Sequence, residues 1–258
     1  MQSLRVDRIL STFRGSTWPV LAQCGSQKVV VKLRGNAEGL KPLVAELVVG
    51  ELADALGLLT PERYLVELPP DVASDDPHEE LRDLLSRSVG SNLGLRYLDG
   101  FRNVTVADAS RIKPELQACI VWLDALAQNP DRTAQNPNLM IKAGQIWLID
   151  HGAALHFHHD WRSVTEQAPR EAGGVVAGHL LQVPAAELSA ADAALAPLVT
   201  QELLDKALAA VPDAFFAELG AESPARQRAA YVAYLRKRAR APRPFVGSGQ
   251  RQPFQFGN

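Results

Sequence analysis

The chain has 258 residues, 47% of them hydrophobic and 22% charged, with a formal net charge of −2 at pH 7. This is the composition of an ordinary globular protein, and its near-neutral charge gives no reason to expect nucleic acid or an acidic membrane surface as a partner. No run of about 18 apolar residues predicts a membrane-spanning helix. Met1–Arg14 has no secretory pattern, and Cys24 and Cys119 form no C-x-x-C motif. The sequence therefore predicts a cytoplasmic protein without disulfides.

The first forty residues predict three β-strands: Arg5–Phe13, Pro19–Gln23 and Lys28–Leu33. Between the first two strands the chain reads R-G-S-T-W. Here the backbone N–H groups of Gly15, Ser16 and Thr17 could bind phosphate. Because the segment has one glycine and not a glycine-rich repeat, an ordinary hairpin turn is the alternative.

Lys32 and Glu46 form a candidate pair. Lys32 ends the β pattern V-V-V-K, where a buried lysine would need an anionic partner. Leu43–Leu56 predicts a helix, on which Glu46 is the only acid of a small, apolar face, whereas Glu51 points elsewhere. The sequence thus predicts an ion pair between Lys32 and Glu46. The alternative is a solvent-exposed lysine and an ordinary surface glutamate.

The middle of the chain alternates between strand and helix patterns. Polar turn residues separate these elements, and the last of them is a strongly amphipathic helix that ends before Asn129-Pro130. The predicted elements are a strand Arg63–Leu68, a short helix His78–Ser88, a strand Asn92–Leu98 and a helix Ile112–Gln128.

The stretch Asn129–Gly152 carries the candidate chemistry. It reads N-P-D-R-T-A-Q-N-P-N-L-M-I-K-A-G-Q-I-W-L-I-D-H-G. Asp131 precedes a predicted hairpin with Gly144 in its turn, and Asp150 follows it. In kinases one Asp orients the attacking hydroxyl, while an Asn and a second Asp hold Mg²⁺. Turns are rich in the same residue types, so two ordinary loops are the alternative. The hairpin strands are Leu139–Ile141 and Ile146–Ile149.

The remainder of the chain predicts a helical region. Four histidines follow closely on Asp150, which allows a zinc-site interpretation, although a polar loop fits better. Gln167–Gly178 predicts a mobile loop. The basic residues near position 238 predict a solvated helix end, with a binding patch as the alternative. The composition of residues 241–258 predicts a tail that is either disordered or packed against the folded chain. The histidines are His151, His156, His158 and His159, the basic residues are Arg236, Lys237, Arg238 and Arg240, and the helices are Glu187–Ala194, Thr200–Ala210, Ala214–Leu219 and Pro224–Ala239.

These motifs in this order resemble the HipA-like kinases, in the short branch without the N-terminal module of the toxin kinases. The resemblance lies in V-V-V-K-L, the helix over 45–59, N-P-D-R-T-A-Q-N-P-N-L-M and W-L-I-D-H-G. It implies an α+β, bilobal kinase-like fold, with phosphatidylinositol kinases as wider kin. The expected N-lobe is 1–100, an antiparallel sheet with one helix. An α-rich C-lobe over 101–240 and the tail 241–258 would follow.

The resemblance also implies roles for individual residues. Asp131 would be the catalytic aspartate, Asp150 a metal ligand, Lys32 the phosphate-binding lysine and Glu46 its partner. ATP and Mg²⁺ would be the cofactors, and a Ser or Thr of a protein would be the acceptor. A nucleotide-binding pseudokinase and a metal-dependent hydrolase are the alternatives.

The second metal ligand stays open between two asparagines. Asn136 has the spacing from Asp131 that is usual in kinases, five residues. Asn138 directly precedes the apolar strand, where the metal-binding asparagine usually lies. The sequence favours Asn138 without excluding Asn136.

Overall fold

The computed structural model describes residues 1–13, 17–76, 78–173, 175–217, 219 and 222–247. Contacts divide the chain into two compact units. The first contains Met1–Val44 and Pro61–Gly100, and the second contains Ala45–Thr60 and Phe101–Asn258. Residues 45–60, which the sequence interpretation placed with the first region, thus group with the second unit. The domain boundaries proposed from the sequence stay a prediction.

The first unit is built on a seven-stranded sheet with the order β1-β5-β7-β4-β3-β2-β6. The central pairs are antiparallel, while β1 runs parallel to β5 and β6 runs parallel to β2. The elements are β1 (Gln2–Arg5), β2 (Arg8–Thr12), β3 (Val20–Cys24), β4 (Gln27–Lys32), α1 (Lys41–Ala55), which continues into the second unit, β5 (Arg63–Leu68), β6 (Ala73–Ser74), α2 (Glu79–Arg87) and β7 (Gly90–Arg96).

The first predicted strand, Arg5–Phe13, is confirmed as β2 over Arg8–Thr12, but its beginning is wrong because the chain changes partners at Val6 and Asp7. Val6 N–H donates to Glu67 O at 3.0 Å, in line with the pairing of β1 with β5. Asp7 N–H donates to Gln23 O at 2.8 Å, where pairing with β3 begins. Two short strands on different partners therefore replace one long strand.

Lys32 is a buried residue inside this sheet. It ends β4, opposite Leu93 of β7, and is 7% exposed. β4 is an interior strand between β3 and β7, and Val29 and Val31, on the same face of the sheet, are fully buried. The alternative of a solvent-exposed lysine is therefore wrong.

Gly94 marks the tightest packing in the sheet. It lies in β7, between β5 and β4. A Cβ added there would lie 2.4 Å from Val66 Cγ2 and 2.6 Å from Val29 Cγ1, far closer than atoms can pack. The sheet therefore needs glycine at this position for lack of space.

The second unit is helical around a small sheet of order β10-β9-β8. Helix α4 is buried along most of its length and packs against α5, α6, α9 and α10. The elements are β8 (Arg102–Asn103), α3 (Val106–Ala109), α4 (Pro114–Ala127), β9 (Leu139–Lys142), β10 (Gln145–Leu148), α5 (Val175–Gly178), α6 (Ala185–Leu195), α7 (Gln201–Ala209), α8 (Asp213–Ala217), α9 (Pro224–Ala239) and α10 (Pro244–Gly247).

The predicted hairpin is confirmed as β9 and β10, with Leu139 opposite Leu148. Ala143 and Gly144 form its turn, and both have positive φ.

The predicted loop Gln167–Gly178 is partly wrong, since its end folds into α5. Among the helices in the described part of the chain, none is both long and apolar enough to cross a membrane.

The two expectations for the C-terminal region have different outcomes. Of the two alternatives for the tail, residues 241–247 follow the one in which it packs against the folded chain, because Phe245 is fully buried with its ring centroid 6.2 Å from that of Trp122. The rest of the predicted tail, 248–258, lies outside the described residues. Arg238 is not solvated but fully buried, and its guanidinium donates to the carbonyls of Ala125 and Leu126 at the end of α4. A cation at this place satisfies carbonyls that lack helical partners.

Replacing Gly94 with alanine should destabilise the first unit by about 1–3 kcal/mol, because the added methyl group must displace Val66 and Val29. The midpoint of urea unfolding, followed by circular dichroism, measures this. Gly178→Ala is the matched control, since Gly178 is exposed and nothing lies within 4 Å of the point that an added methyl carbon would occupy. Equal midpoints for the two variants would contradict the packing argument.

Candidate active site

The loop between α4 and β9 begins where α4 ends. Gln128 caps that helix in the left-handed conformation, φ 53°. Asn129 is fully buried; its Nδ2 donates to Asp124 Oδ1 at 2.9 Å, and its Oδ1 accepts from Asp131 N–H at 3.2 Å. The loop is therefore fixed to the helix immediately before the candidate catalytic aspartate.

Asp131 is half-buried, and its carboxylate accepts hydrogen bonds from both candidate asparagines. Asn136 Nδ2 donates to Asp131 Oδ2 at 2.7 Å, and Asn138 Nδ2 donates to the same oxygen at 3.1 Å. Asn138 is buried, whereas Asn136 is exposed. Both amides thus orient one carboxylate, and each amide turns its nitrogen, not its oxygen, toward Asp131.

The hairpin brings Asp150 to the same end as Asn138. Ile149 N–H donates to Asn138 O at 3.1 Å, which continues the pairing of β9 with β10 beyond the strands. Asn138 and Asp150 both have positive φ, 47° and 57°. Apart from glycine, Asn and Asp are the residues that adopt this conformation most readily. At the open end of the hairpin Asn138 thus contacts Asp131 through its side chain, and its backbone pairs with Ile149, the residue before Asp150.

Below this loop lies a buried cluster around Asp124. Arg132 is fully buried, and its Nε donates to Asp124 Oδ2 at 2.6 Å. Another nitrogen of its guanidinium donates to the carbonyl of Asn138. His179 Nε2 lies 2.9 Å from Asp124 Oδ2, and its Nδ1 accepts from Leu181 N–H. Because Nδ1 is an acceptor, the ring proton lies on Nε2 and donates to Asp124.

The charge of Asp124 is maintained by its partners. Burial by itself would raise the pKa of Asp124, but the Arg132 guanidinium and the His179 hydrogen bond outweigh burial and hold the pKa below its ordinary value of 3.8. Asp124 therefore remains a carboxylate that clamps Arg132, and Arg132 in turn supports the backbone of the loop at Asn138.

Glu46 is tied to the segment that follows the hairpin. It is 2% exposed, and its carboxylate accepts a hydrogen bond from the backbone N–H of His151, the residue after Asp150. Sequence reasoning had not foreseen this contact. The ion pair between Glu46 and Lys32 stays a prediction. Of the proposed phosphate-binding residues, Thr17 is described, while Gly15 and Ser16 lie outside the described residues.

The histidines that follow Asp150 have separate environments. His158 is buried, and its Nδ1 lies 3.0 Å from the hydroxyl of Tyr231. His151 Nδ1 lies 3.4 Å from a guanidinium nitrogen of Arg132. Within the residues that the structure describes, no three His, Cys, Asp or Glu side chains are grouped so as to hold a metal ion.

Known proteins resemble this chain in sequence and in fold. A family model described as HipA-like kinase matches residues 6–169. The proinflammatory kinase CtkA of Helicobacter pylori has a similar structure, with a TM-score of 0.53 and 11% identity over 93% of this chain and 98% of that chain. None of the curated proteins that were searched matches the chain. The resemblance and the kinase-like α+β fold predicted from the sequence are thus confirmed.

Replacing Asp124 with asparagine should destabilise the second unit by about 3–5 kcal/mol, because Arg132 would keep a buried charge without its counter-ion. Thermal or urea unfolding at neutral pH measures the loss. Glu222→Gln is the control, since it removes a carboxylate whose partner Arg226 is exposed, and such pairs contribute little. A loss no larger than that of the control would contradict the role of Asp124.

The same variant predicts a change in pH dependence. The pKa of Asp124 is lower in the folded than in the unfolded chain, so its stabilisation is complete well above the unfolded pKa of 3.8 and is lost as the pH falls through that value toward the folded pKa. Between about pH 5 and pH 2, the free energy of unfolding should therefore fall more steeply in the wild-type chain than in Asp124→Asn. Parallel curves would show that the folded pKa is not lowered.

Proposed function

Because this chain belongs to the HipA-like kinase family, we propose that it transfers the γ-phosphoryl group of ATP to a serine or threonine hydroxyl of a protein, with Mg²⁺ as the metal. One observation carries the proposal. The carboxylate of Asp131 is oriented by two asparagine amides at the end of the hairpin from which Asp150 emerges. Two carboxylates with an asparagine between them are what phosphoryl transfer to a hydroxyl requires.

Asp131 would orient the acceptor hydroxyl and take its proton as the new P–O bond forms and the bond from the γ-phosphorus to the bridging oxygen of ADP breaks. Its Oδ2 is occupied by the two amides, which fix the plane of the carboxylate. Arg132 cannot take part directly, because its side chain is fully buried against Asp124. We therefore assign Arg132 the support of the loop and leave the contact with substrate to Asp131.

The residues at the end of the hairpin fit Mg²⁺ by their chemistry. Mg²⁺ prefers carboxylate and amide oxygens, which Asp150 and an asparagine can supply. When bound, the ion would offset negative charge on the transferred phosphoryl group. We assign Asn138 as the second ligand in preference to Asn136. Asn138 is buried, and its carbonyl is bonded to Ile149 next to Asp150.

The remaining assignments rest on the resemblance to the family. Lys32 would bind the α- and β-phosphates, and its burial in β4 suits a lysine that must be held in one position. Glu46 would pair with Lys32 while it accepts the hydrogen bond from His151. The backbone of Gly15, Ser16 and Thr17 would contact the phosphates.

Asp131→Asn should lower phosphoryl transfer about a hundredfold or more while ATP affinity stays within about twofold, because a general base acts on the reaction and not on nucleotide binding. Incubation with labelled ATP and Mg²⁺ and peptide mapping of the products give turnover, and calorimetry gives affinity. Asp160→Asn is the control, since Asp160 is exposed. Wild-type chain that binds ATP but transfers no phosphate to itself, to protein or to water would instead favour a nucleotide-binding pseudokinase.

The two asparagines can be separated by their effect on the Mg²⁺ requirement. Asn138→Gly should raise the Mg²⁺ concentration for half-maximal turnover severalfold, and Asn136→Gly should leave it nearly unchanged. Glycine removes the amide but tolerates the positive φ of residue 138, so backbone strain does not confuse the result. Asp150→Asn sets the scale for loss of a ligand charge. The reverse order of the two glycine variants would assign the metal to Asn136.

A further inference from the structure

A groove on the second unit lies between α7 and α9, with a volume of about 800 Å³. Its floor is apolar, because Leu208 of α7 and Val232 of α9 are buried beneath it. Along α9 the lining changes character. Ala225, Ala229 and Ala233 line its first half, and Arg236, Lys237 and Arg240 line its second half. These positions recur every three or four residues, so one face of the helix runs from apolar to basic.

The basic half carries charge that the protein does not neutralise. Arg170 donates to the carbonyls of Arg240 and Pro242, at 2.7 and 3.1 Å, and Lys237 donates to the carbonyl of Glu166. Arg236 donates to the neutral side chain of Gln201. In the described part of the chain, no carboxylate forms an ion pair with any of these three cations or with Arg240. Their hydrogen bonds fix the side chains but leave the positive charges unpaired.

The other charged residues of the groove do not change this balance. Arg228 is paired with Asp213 at 2.6 Å. Asp205 is the one carboxylate in the lining, and it accepts from Gln201 Nε2 at 2.9 Å. Among the described residues, the groove therefore contains four unpaired cations and one carboxylate.

The helix dipole does not account for all four of these unpaired cations. Cations in the last turn of α9 favour the negative end of the helix, which would explain Arg236 and Lys237. Arg170 lies 66 positions before Arg236 in the sequence and comes from another segment, yet it lines the same groove. Two separate parts of the chain thus contribute cations to one place.

We propose that this groove binds an acidic segment of a partner protein that has apolar side chains at one end and carboxylates at the other. The apolar end would cover the exposed alanines of α9, and the carboxylates would pair with Arg170, Arg236 and Arg240. The lined face of α9 is about 22 Å long at 1.5 Å per residue. It fits about 15 residues of a helix or about seven of an extended strand. Nucleic acid fits less well, because the half of the groove lined by alanines offers a phosphate only Arg228, which is already paired with Asp213.

The proposal is independent of the proposed kinase reaction. Every residue that lines the groove lies at or beyond Arg170, and the family match ends at residue 169. The matched family therefore assigns the groove no role. Binding there would give the protein a docking surface separate from Asp131 and Asp150, whether or not the chain transfers phosphate.

The test uses the whole chain and a fluorescein-labelled peptide of about 15 residues, with leucines in one half and glutamates in the other. A second peptide with lysine for every glutamate and a single-stranded oligonucleotide of similar length are the comparison probes. By fluorescence anisotropy we expect the acidic peptide to bind at least about tenfold more tightly than either. Its Kd should rise with salt, as for contacts between exposed charges.

Two variants test the two halves of the groove. Arg236→Glu/Arg240→Glu should weaken binding about tenfold or more by reversing two contacts, and Ala229→Gln should weaken it by filling the apolar half. Arg111→Glu/Lys113→Glu is the matched control, because it reverses two exposed cations elsewhere on the same unit, and its Kd should stay within about twofold. Thermal unfolding checks that all variants fold.

Three results would overturn the proposal. The first is no binding of the acidic peptide by the wild-type chain. The second is equal loss of binding in the groove variants and in the control, which would mean a response to net charge only. The third is tighter binding of the oligonucleotide than of the acidic peptide, which would assign the cations to nucleic acid.

Discussion

The candidate active site depends on the buried carboxylate of Asp124. It accepts hydrogen bonds from Asn129 and Arg132, both in the loop after α4, and from His179, which directly follows α5. Charges buried this deeply persist only if every partner is in position, because an unpaired buried ion is far more costly than a paired one. The cluster therefore favours one arrangement of the loop over any partly formed one. Through Arg132 that arrangement extends to the backbone of Asn138 and so to Asp131.

Local sequence patterns predicted the parts of this site that local forces determine. The hairpin followed from two short apolar runs with Gly144 between them. Asp131 and Asp150 were recognised because their residue types and their places beside the hairpin match a known chemistry. The positive φ of Asn138 and Asp150 adds a second reason for the residue types found there, one that only the backbone reveals.

Long-range partners were beyond the reach of such patterns. Asp124 lies within the apolar sequence of α4, and His179 lies 55 positions later, directly after a segment predicted to be a loop. The sequence around Asp124 gives no sign of His179, and the sequence around His179 gives no sign of Asp124. The same holds for Arg238, which looked like one of several solvated basic residues but is buried against the end of α4. For Asp124, a carboxylate in the middle of an apolar helix is the signal that could have prompted the question.

The contact of Arg238 with Ala125 spans 113 positions of sequence, and this separation bears on the order in which the molecule is made. Contacts between residues far apart in sequence form only after a large loss of chain entropy. During synthesis α4 and the loop after it leave the ribosome well before α9 exists. The end of α4 gains its guanidinium cap only when α9 has been translated. A nascent chain would thus hold the loop between α4 and β9 in an unfinished form until α9 has been made.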